Sequence, residues 1–451
     1  MLPLPLERWL SEPRPADTLI AWRGEQQFTL GQLRFDVAQL VMRLTALNGH
    51  RIALCFDDSY LFIVALLATL HAHKTPVIPG HSREALLHEQ RANFDLLLAE
   101  RLIDWGGQTL RVESVRGTTA AGFAFNHIAP DATLELFTSG STGQPRRVIK
   151  PITCLNHETQ LLADKFGTRL QGCSVAGSVV PQHMFGLTFR IMLPMSLGLP
   201  LHAPMIYYAE QLAALETQRR YLFISSPAFL KRLDEKLSAP PVAMILSAGG
   251  VLPWQCVMQS QQWLGITPDE IYGSTETGIL AWRHRDEDQR PWQPFPGVTF
   301  QAEREDWRVW SPLIPQPEGW LLDDRLVIKD SGEFHLLGRK GRVVKIEEKR
   351  ISLTEIERRL MALPGVTDAA AMPITRAGRQ AIGALLALDN EMYLCWQQEG
   401  RKLERRWRNA LQAWLEPVAL PRYWRVVKRI PVNSMNKRVY PQLQELFDES
   451  A

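Results

Sequence analysis

Apolar residues follow two alternating patterns through the first two thirds of the chain. Short apolar runs at 51–56, 76–78 and 221–225 are typical of buried strands. Longer apolar stretches at 61–73 and 227–237 follow two of these runs and predict helices. Strands that alternate with helices in this way build parallel sheets covered by helices. We therefore expect an α/β fold.

Length and composition describe a globular chain. It has 451 residues, of which 45% are hydrophobic and 22% charged, enough for more than one hydrophobic core. The longest early apolar run, at 61–70, is far shorter than the roughly 20 residues that a membrane span requires. We therefore expect no membrane span.

The first residues and the cysteines bear on the compartment. Residues 1–5 contain no basic segment followed by an apolar core, so no secretory signal is predicted. The five cysteines are odd in number and include no Cys-x-x-Cys pair. We expect reduced thiols, a cytoplasmic setting and no structural zinc site.

One short polar run follows the predicted strand end at 134–138. In order, it contains Thr138, Ser139, Gly140, Ser141, Thr142, Gly143, Gln144, Pro145, Arg146 and Arg147. Glycines let backbone N–H groups approach an anion, hydroxyls add donors, and arginine makes charge-assisted bonds to phosphate oxygens. The run therefore predicts a polyphosphate clamp, although a flexible Gly- and Ser-rich surface loop would have a similar composition.

The run is not a Walker-type loop, because no lysine followed by Ser or Thr comes after Gly143. The order Thr-Ser-Gly-Ser-Thr-Gly-x-Pro-basic instead resembles the phosphate loop of the adenylate-forming superfamily. This superfamily includes acyl-CoA synthetases, peptide-synthetase adenylation domains and luciferases. The resemblance implies three further segments downstream: an aromatic-Gly-x-Thr-Glu turn, an aspartate before Gly-Arg, and a lone lysine near the C-terminus. All three are present in that order.

The turn is the segment Tyr272, Gly273, Ser274, Thr275 and Glu276. It presents an aromatic face, hydroxyls and a carboxylate together. The resemblance implies that Tyr272 stacks on adenine and that Thr275 contacts the α-phosphate or the substrate carboxylate. It also implies that Glu276 helps to hold the Mg²⁺ that offsets the triphosphate charge.

The aspartate and the arginine lie around a predicted hairpin, with strands at 326–328 and 333–337. The resemblance implies that Asp324 accepts hydrogen bonds from the ribose hydroxyls and that Arg339 braces the same sugar. Asp323 is the adjacent alternative, and we expect it to be the more solvent-directed of the two.

Lys437 is the lone lysine, and the resemblance implies that it bridges the substrate carboxylate and the α-phosphate. An ammonium in that place would neutralise charge on both reactants in the transition state. Relatives usually have glycine before this lysine, whereas Asn436 stands here. Asparagine also tolerates left-handed backbone angles, so the turn can persist.

Two more segments match the resemblance. His183, followed by Met184 and Phe185, corresponds to a histidine or aromatic residue that lines the acyl pocket. Gly249 and Gly250 correspond to a loop that lets adenine lie against bare backbone. Aromatic residues expected around a compact acyl pocket are His183, Phe185, Tyr207, Tyr208, Phe223 and Trp282.

The resemblance also implies the domain organisation. Residues 1–338 are expected to form a large N-terminal AMP-binding domain of parallel α/β sheets, and residues 339–451 a small mobile α+β lid. The lid carries 21 Lys and Arg against 13 Asp and Glu, and the rest of the chain carries 30 against 35. A basic run at 401–408 on a predicted helix could dock an acidic carrier protein. We expect no nucleic-acid partner, because no nucleic-acid motif accompanies this run.

The acceptor and the substrate stay open at this point. Relatives that use coenzyme A usually have glycine where Glu348 stands, which favours the phosphopantetheine of an acyl carrier protein over free coenzyme A. Gly341 at the hinge can absorb the dihedral change of a rotating lid. The expected reaction uses ATP, Mg²⁺ and a carboxylic acid, with an aryl acid such as a hydroxybenzoate or hydroxycinnamate first and a short or medium fatty acid second. A non-catalytic binder of AMP or acyl-adenylate is the alternative from another class.

Overall fold

The chain divides into two compact units, each described by itself. The computed structural model describes residues 2–115, 123–139, 145–304, 306–339, 343–346, 349–376, 379–415, 417–432 and 438–448. The larger unit comprises Met1–Gln301, Arg308–Trp320 and Asp330–Glu333. The smaller unit comprises Ala302–Trp307, Leu321–Lys329 and Phe334–Ala451. The domain boundary between residues 338 and 339 stays a prediction.

The strands of the larger unit alternate with its helices. In chain order, the strands up to residue 294 are Leu19–Arg23 (β1), Gln26–Thr29 (β2), Arg51–Cys55 (β3), Thr75–Ile78 (β4), Leu96–Ala99 (β5), Thr109–Arg111 (β6), Thr133–Ser139 (β7), Pro145–Pro151 (β8), Cys173–Gly177 (β9), Leu201–His202 (β10), Arg220–Ser225 (β11), Val242–Ser247 (β12), Asp269–Ser274 (β13), Gly278–His284 (β14) and Gln293–Pro294 (β15). The α-helices are Leu30–Thr45 (α1), Ser59–His71 (α2), Glu84–Glu89 (α3), Ile152–Leu170 (α4), Met184–Gly186 (α5), Leu193–Leu197 (α6), Ala209–Ala213 (α7), Pro227–Leu230 (α8) and Trp254–Leu264 (α9), with short 3₁₀ turns at Leu6–Arg8 and Arg91–Asn93 and a π-helical turn at Leu187–Met192.

Two sheets organise this unit. One has nine strands in the order β15-β14-β13-β12-β11-β9-β10-β1-β2, and the other has six in the order β6-β5-β3-β4-β7-β8. Strands β13, β12, β11, β9, β10 and β1 pair in parallel, and so do β6, β5, β3, β4 and β7. Antiparallel strands complete the edges. The expected α/β fold with parallel sheets is confirmed.

Helix α2 shows how well the apolar pattern predicted the core. Asp58 caps its N-terminus by accepting a hydrogen bond from the backbone N–H of Leu61, and all its residues are buried. A helix that is hydrophobic on every side must be buried, as the run at 61–73 predicted. The helix ends at His71, and His73 lies in the left-handed region with φ +54°.

The helix predicted at 227–237 is wrong beyond its first turn. Helix α8 ends at Leu230, and the chain continues in turns. Asp234 accepts a hydrogen bond from the backbone N–H of Lys236 at 3.0 Å. Aspartate side chains that bond nearby backbone groups compete with the helix, which explains the early end.

The remaining strands run from residue 299 onward. They are Thr299–Glu303 (β16), Asp306–Trp310 (β17), Trp320–Leu321 (β18), Asp324–Ile328 (β19), Phe334–Arg339 (β20), Val343–Ile346 (β21), Lys349–Ser352 (β22), Val366–Arg376 (β23), Arg379–Leu388 (β24) and Tyr423–Val427 (β25), accompanied by helices Leu353–Met361 (α10), Asn390–Leu411 (α11) and Tyr440–Asp448 (α12). Strands β19 and β20 pair antiparallel, so the predicted hairpin is confirmed. Strands β23, β24 and β25 form the main sheet of the smaller unit.

Helix α11 is amphipathic. Leu403, Trp407 and Leu411 are spaced four residues apart and are buried in the core of the smaller unit. Four basic side chains on its C-terminal half are exposed, and we call them the basic face: Arg401, Lys402, Arg405 and Arg406. Trp407 packs against Trp424 of β25 with ring centroids 5.5 Å apart, which holds the helix by its apolar side.

All five cysteines are unpaired, and only Cys395 is exposed. Within the described ranges, none of the helices combines the length and the hydropathy that crossing a bilayer would require.

Candidate functional site

The carboxyl ends of neighbouring parallel strands bring several serines, the predicted Ser274 among them, to one edge of the nine-stranded sheet. Ser178 follows β9, Ser225 ends β11, and their hydroxyl oxygens are 3.0 Å apart. Ser247 ends β12 and Ser274 ends β13, the next two strands in the order. Ligands of open α/β sheets bind in the crevice outside these ends. This edge is therefore the candidate site of the larger unit.

The predicted glycine loop comes directly after β12. Gly249 is exposed and has φ +88°, a backbone conformation that residues other than glycine rarely adopt. Gly250 is also exposed, and a Cβ added there would approach nothing closer than the Pro227 Cγ at 3.8 Å. The loop thus offers bare backbone at the site edge. Its role as a platform for adenine stays a prediction.

The turn between β13 and β14 is held by its two ends. The Ser274 backbone N–H donates to the Thr277 hydroxyl at 3.1 Å, and the Thr277 backbone N–H donates to the Ser274 hydroxyl at 3.2 Å. These reciprocal bonds leave Thr275 and Glu276 at the tip, both half-buried. Ser274, predicted to contact the cofactor, therefore also has a local role in shaping the turn.

Close backbone packing at the base of this turn requires glycine. The pairing of β13 with β14 shifts register between Tyr272 and Gly273. A Cβ added to Gly273 would lie 2.2 Å from the carbonyl oxygen of Gly278. Glycine is therefore required at position 273 because of a contact with the paired strand, which the neighbouring residues in sequence do not reveal.

Tyr272 is half-buried beside Trp292, with ring centroids 5.8 Å apart and planes tilted by 54°. The Arg283 guanidinium also contacts Trp292, at 4.3 Å from the ring centroid. Tyr272 is thus oriented by aromatic packing, as a ring that stacks on a ligand would need to be. Its contact with adenine stays a prediction.

The donor set suits a magnesium ion that is held mainly by a nucleotide. Glu276 contributes one half-buried carboxylate at the tip of the turn. Among the residues that the structure describes, no group of three or more His, Cys, Asp or Glu side chains could hold a metal ion by itself. Mg²⁺ in phosphate-transfer sites is bound by one or two carboxylates together with substrate phosphates and water. Glu276 therefore fits a Mg²⁺ that enters with ATP.

The predicted phosphate clamp lies on a hairpin of the six-stranded sheet. Strands β7 and β8 pair antiparallel, with Thr138 opposite Arg146 and Ser139 opposite Pro145. The exposed Arg146 guanidinium lies 4.6 Å from the Trp320 ring centroid. Arg147 pairs with Glu135 at 3.6 Å. The tip of the hairpin, with Gly140, Ser141, Thr142 and Gly143, lies outside the described residues.

His183 lies against the base of this hairpin. A Cβ added to Gly80 would be 3.3 Å from the His183 ring and 3.4 Å from the Phe137 carbonyl oxygen. Gly80 is therefore the point where the histidine segment and strand β7 meet. His183 is half-buried and comes directly before α5, in extended conformation.

The aromatic residues expected around an acyl pocket do not all gather there. Phe223 is fully buried and packs on Phe229 in the core, so it offers no surface to a ligand. Trp282 packs against Phe166 and Lys165 of α4. The inclusion of Phe223 was wrong, because apolar rings also serve as core, whereas the half-buried Trp282 stays a prediction. Phe185 stays a candidate, half-buried with its ring 4.9 Å from Phe189.

Tyr207 faces polar surroundings instead of an apolar pocket. Its hydroxyl donates to the Asp57 carboxylate at 3.2 Å, and it lines a cavity of about 620 Å³ together with Asp58 and Glu100. Burial, followed by the negative charge of Asp57, raises the pKa of Tyr207 to about 12. Tyr208 is largely exposed. Neither tyrosine offers the apolar enclosure that an aryl ring prefers.

A buried arginine holds the histidine segment, and sequence analysis missed it. The Arg190 guanidinium donates to the carbonyl oxygens of Val179 at 2.6 Å, Pro204 at 3.1 Å and Ala203 at 3.2 Å. Burial lowers the pKa of Arg190 to about 10, so the side chain keeps its charge at neutral pH. The signal was available, because Arg190 is a lone charge within an apolar run.

The smaller unit carries the ribose candidates on its hairpin. Asp324 lies opposite Arg339 in the register of β19 and β20. Asp323 is exposed and Asp324 is half-buried, so Asp323 is the more solvent-directed of the two, as expected. Lys437, Glu348 and Gly341 lie outside the described residues.

Comparison with known proteins adds three findings. Residues 118–310 match the family described as AMP-binding enzyme. N-benzoylphenylalaninol synthetase of Penicillium brevicompactum is 22% identical over 436 residues, which cover 82% of this chain and 18% of that protein. 4-Coumarate–CoA ligase of Cereibacter sphaeroides is 27% identical over 256 residues, covering 54% of this chain and 57% of that protein. The chain thus spans less than two thirds of either relative.

The fold also occurs in solved structures. The o-succinylbenzoate CoA synthetase of Bacillus subtilis, in complex with its acyl-adenylate intermediate, superposes with a TM-score of 0.80 at 17% identity and covers 98% of both chains. The same synthetase is also solved with ATP and a magnesium ion. At this identity the likeness establishes the fold.

Proposed function

We propose that this chain belongs to the adenylate-forming superfamily, activates a carboxylic acid with ATP and passes the acyl group to a thiol; the match of residues 118–310 to the AMP-binding enzyme family supports this. One observation carries the proposal: three candidate segments converge in the larger unit. The base of the phosphate hairpin meets His183 across Gly80, and Lys150 of that hairpin donates to the carbonyl oxygen of Glu276. We infer that the segments proposed to bind phosphate, acyl group and metal lie near one another.

In the first half-reaction, a carboxylate oxygen of the acid attacks the α-phosphorus of ATP. The bond from the α-phosphorus to the bridging oxygen breaks, and pyrophosphate leaves with the acyl-adenylate as the other product. Thr138, Ser139 and Arg146 would hold the phosphates, while Gly249, Gly250 and Tyr272 would receive the adenine. Asp324 and Arg339 would bind the ribose. Lys437 would lie between the two reacting anions, where its charge acts mainly in the transition state.

Glu276 would hold the Mg²⁺, which supplies charge neutralisation of the triphosphate when bound. Thr275, beside it at the tip of the turn, would orient the α-phosphate or the acid carboxylate. His183 would line the acyl pocket next to the reacting carboxylate. Water has to be kept from the adenylate until the thiol arrives.

In the second half-reaction, the sulfur of a pantetheine thiol attacks the acyl carbon. The bond between that carbon and the phosphate oxygen breaks, AMP leaves, and the thiol proton passes to solvent or to AMP. We propose that the residues after 338 rotate between the two steps and withdraw Lys437. The five unpaired thiols suit a reducing compartment, and we propose a cytoplasmic setting.

We propose an aryl acid, such as a hydroxybenzoate or hydroxycinnamate, as the substrate. His183 offers a half-buried ring beside the base of the phosphate hairpin, and Phe185 is half-buried two residues further along, so a planar acid would pack against them. The names of the coumarate and succinylbenzoate ligases also denote aromatic acids. A short or medium fatty acid is the second candidate.

We propose an acyl carrier protein as the thiol donor, docked on the basic face of α11. Arg401 and Arg405 are one helical turn apart, and so are Lys402 and Arg406, so the four cations form one patch. Within this patch, Lys402 pairs with Glu399 at 2.8 Å. A carrier protein with an acidic surface complements such a patch, which raises the association rate more than it raises the final affinity. Free coenzyme A is the other candidate donor.

The activation step is tested by pyrophosphate release from Mg·ATP across a panel of aryl and fatty acids. We expect release that depends on one class of acid, and we expect Lys437→Ala to abolish it while AMP binding persists. If no acid in the panel causes pyrophosphate release, although the unaltered protein binds AMP tightly, a non-catalytic binder is favoured instead.

The docking surface is tested by Arg405→Glu/Arg406→Glu. We expect the KM for the acyl carrier protein to rise about tenfold or more, because like charges now face the partner. Pyrophosphate release should not change. The double variant Arg43→Glu/Arg91→Glu, which reverses two exposed charges of the larger unit, is the matched control and should leave the KM for the carrier unchanged. Equal loss in both variants, or faster turnover with coenzyme A than with the carrier, would refute this docking surface.

A further inference from the structure

Two oppositely charged side chains lie buried between the candidate segments of the larger unit. Lys150 ends the apolar part of strand β8, and Glu158 lies on the first half of α4. Each residue is only 2% exposed. Neither belongs to the motifs that predict the chemistry, so their function has to be argued from their contacts.

Lys150 connects the phosphate hairpin to the turn that carries Glu276. Its ammonium donates a hydrogen bond to the backbone carbonyl oxygen of Glu276 at 2.7 Å. Burial lowers the pKa of Lys150, and the negative charge of Glu158 is the largest influence in the opposite direction, with Cys154 and the Glu276 side chain also contributing. Glu158 therefore helps to keep Lys150 charged.

Glu158 holds the far side of the same turn. One carboxylate oxygen accepts the backbone N–H of Ile279 at 2.9 Å, and the other accepts the Thr188 hydroxyl at 2.7 Å. Burial raises the pKa of Glu158, whereas the Thr188 hydrogen bond and the Lys150 charge lower it. A Cβ on Gly278 would lie 2.9 Å from this carboxylate, so the chain approaches it closely.

We propose that Lys150 and Glu158 are positioning residues that fix the Glu276 carboxylate relative to the phosphate hairpin, and so set how Mg·ATP binds. This inference rests on the proposed function. Lys150 contacts the turn at its tip, and Glu158 contacts the chain just after it, so charges from two other elements hold the turn at two points. The tip that carries Glu276 then has little freedom to shift.

The cost of burying two charges supports this role. Two apolar side chains of similar volume would fill the same space without losing hydration, and such replacements are often neutral or stabilising. Stability alone therefore does not account for the pair. Directed hydrogen bonds to the Glu276 carbonyl and the Ile279 N–H are what apolar side chains could not supply.

The test compares variants by their binding of ATP as the Mg²⁺ concentration is varied, measured calorimetrically with a non-hydrolysable ATP analogue. Lys150→Met alone leaves the Glu158 charge without its nearest cation and can fail to fold. Lys150→Met/Glu158→Gln removes both charges at nearly constant volume. Lys150→Arg retains a donor and a charge. Thr188→Val removes the hydrogen bond to the Glu158 carboxylate oxygen that does not bind the Ile279 N–H.

We expect the double variant to bind AMP nearly as well as the unaltered protein and to require about tenfold more Mg²⁺ for half-saturation with the ATP analogue, as for other groups that orient a metal ligand. Its kcat for pyrophosphate release should fall while the KM for the acid stays the same. Lys150→Arg should restore part of the Mg²⁺ dependence. Thr188→Val should lower Tm without changing the Mg²⁺ dependence of ATP binding.

An unchanged Mg²⁺ dependence in the double variant would overturn the inference, and so would the same shift in Thr188→Val. The proposed function fails separately, if the unaltered protein releases no pyrophosphate with any acid. In that case the binding titration still decides the role of the pair, and absence of any Mg²⁺-dependent ATP binding by the unaltered protein would refute both.

Discussion

Glu276→Gln is expected to lower acid-dependent pyrophosphate release by about 10²–10³-fold, the usual effect of losing one electrostatic contact to a transition state. Glutamine has the same shape but no charge, so the turn should keep its reciprocal Ser274–Thr277 hydrogen bonds. The loss should be partly recovered at high Mg²⁺ concentration. Initial rates across a Mg²⁺ series measure it.

Two further measurements make this result specific. AMP binding, which does not require the triphosphate, should remain within about threefold, because the variant leaves the glycine loop and Tyr272 in place. Glu25→Gln, which neutralises an exposed carboxylate between β1 and β2, should behave as the unaltered protein. If Glu276→Gln retained full activity at low Mg²⁺, its metal role would be wrong.

Gly273→Ala is expected to destabilise the larger unit by about 3 kcal/mol or more, at the upper end of what overpacking costs. The added Cβ would lie 2.2 Å from a backbone oxygen, and that oxygen belongs to the paired strand β14. A flexible side chain could move aside, whereas this carbonyl can move only if the hairpin opens. AMP binding should be lost together with stability, since Tyr272 and Glu276 flank the distortion.

Gly167→Ala provides the matched control, with the opposite expected sign. Gly167 lies inside α4, and a Cβ there would meet nothing within 4 Å. Alanine in a helix interior is about 1 kcal/mol better than glycine, so Tm should rise slightly. Denaturant melts of both variants give the comparison. Similar destabilisation by the two substitutions would contradict the steric argument.

The elements that local chemistry determines were predictable from the sequence. The hairpin around Ser331 and Gly332 was foreseen because turn residues separate two strand patterns. Helix α2 was foreseen because its apolar run has no polar side. The early end of the helix predicted at 227–237 was not foreseen, because it depends on the Asp234 carboxylate accepting a hydrogen bond from the backbone N–H of Lys236. Such competition depends on one side chain rather than on the hydrophobic pattern.

The candidate site was only partly predictable, because tertiary packing decides which side chains meet. Strand alternation alone would bury Ile149 and expose Lys150, yet Ile149 is 46% exposed and Lys150 is buried. The contact between Lys150 and Glu276 joins residues that are 126 positions apart, so no local spacing could reveal it. Motifs located the chemistry, whereas the residues that support it came only from the fold.

The way Arg190 is held has a consequence for how this chain can diverge. Its guanidinium binds main-chain carbonyls at Val179, Ala203 and Pro204, and a carbonyl is present whatever the side chain. Substitutions along these loops therefore leave the anchor intact. Phe185 and Tyr208 lie near these carbonyls in sequence and are not held by Arg190, so each can be exchanged while the scaffold persists. We expect new acid preferences to evolve in this region with little loss of folding, and saturation libraries at these two positions should contain mostly folded protein.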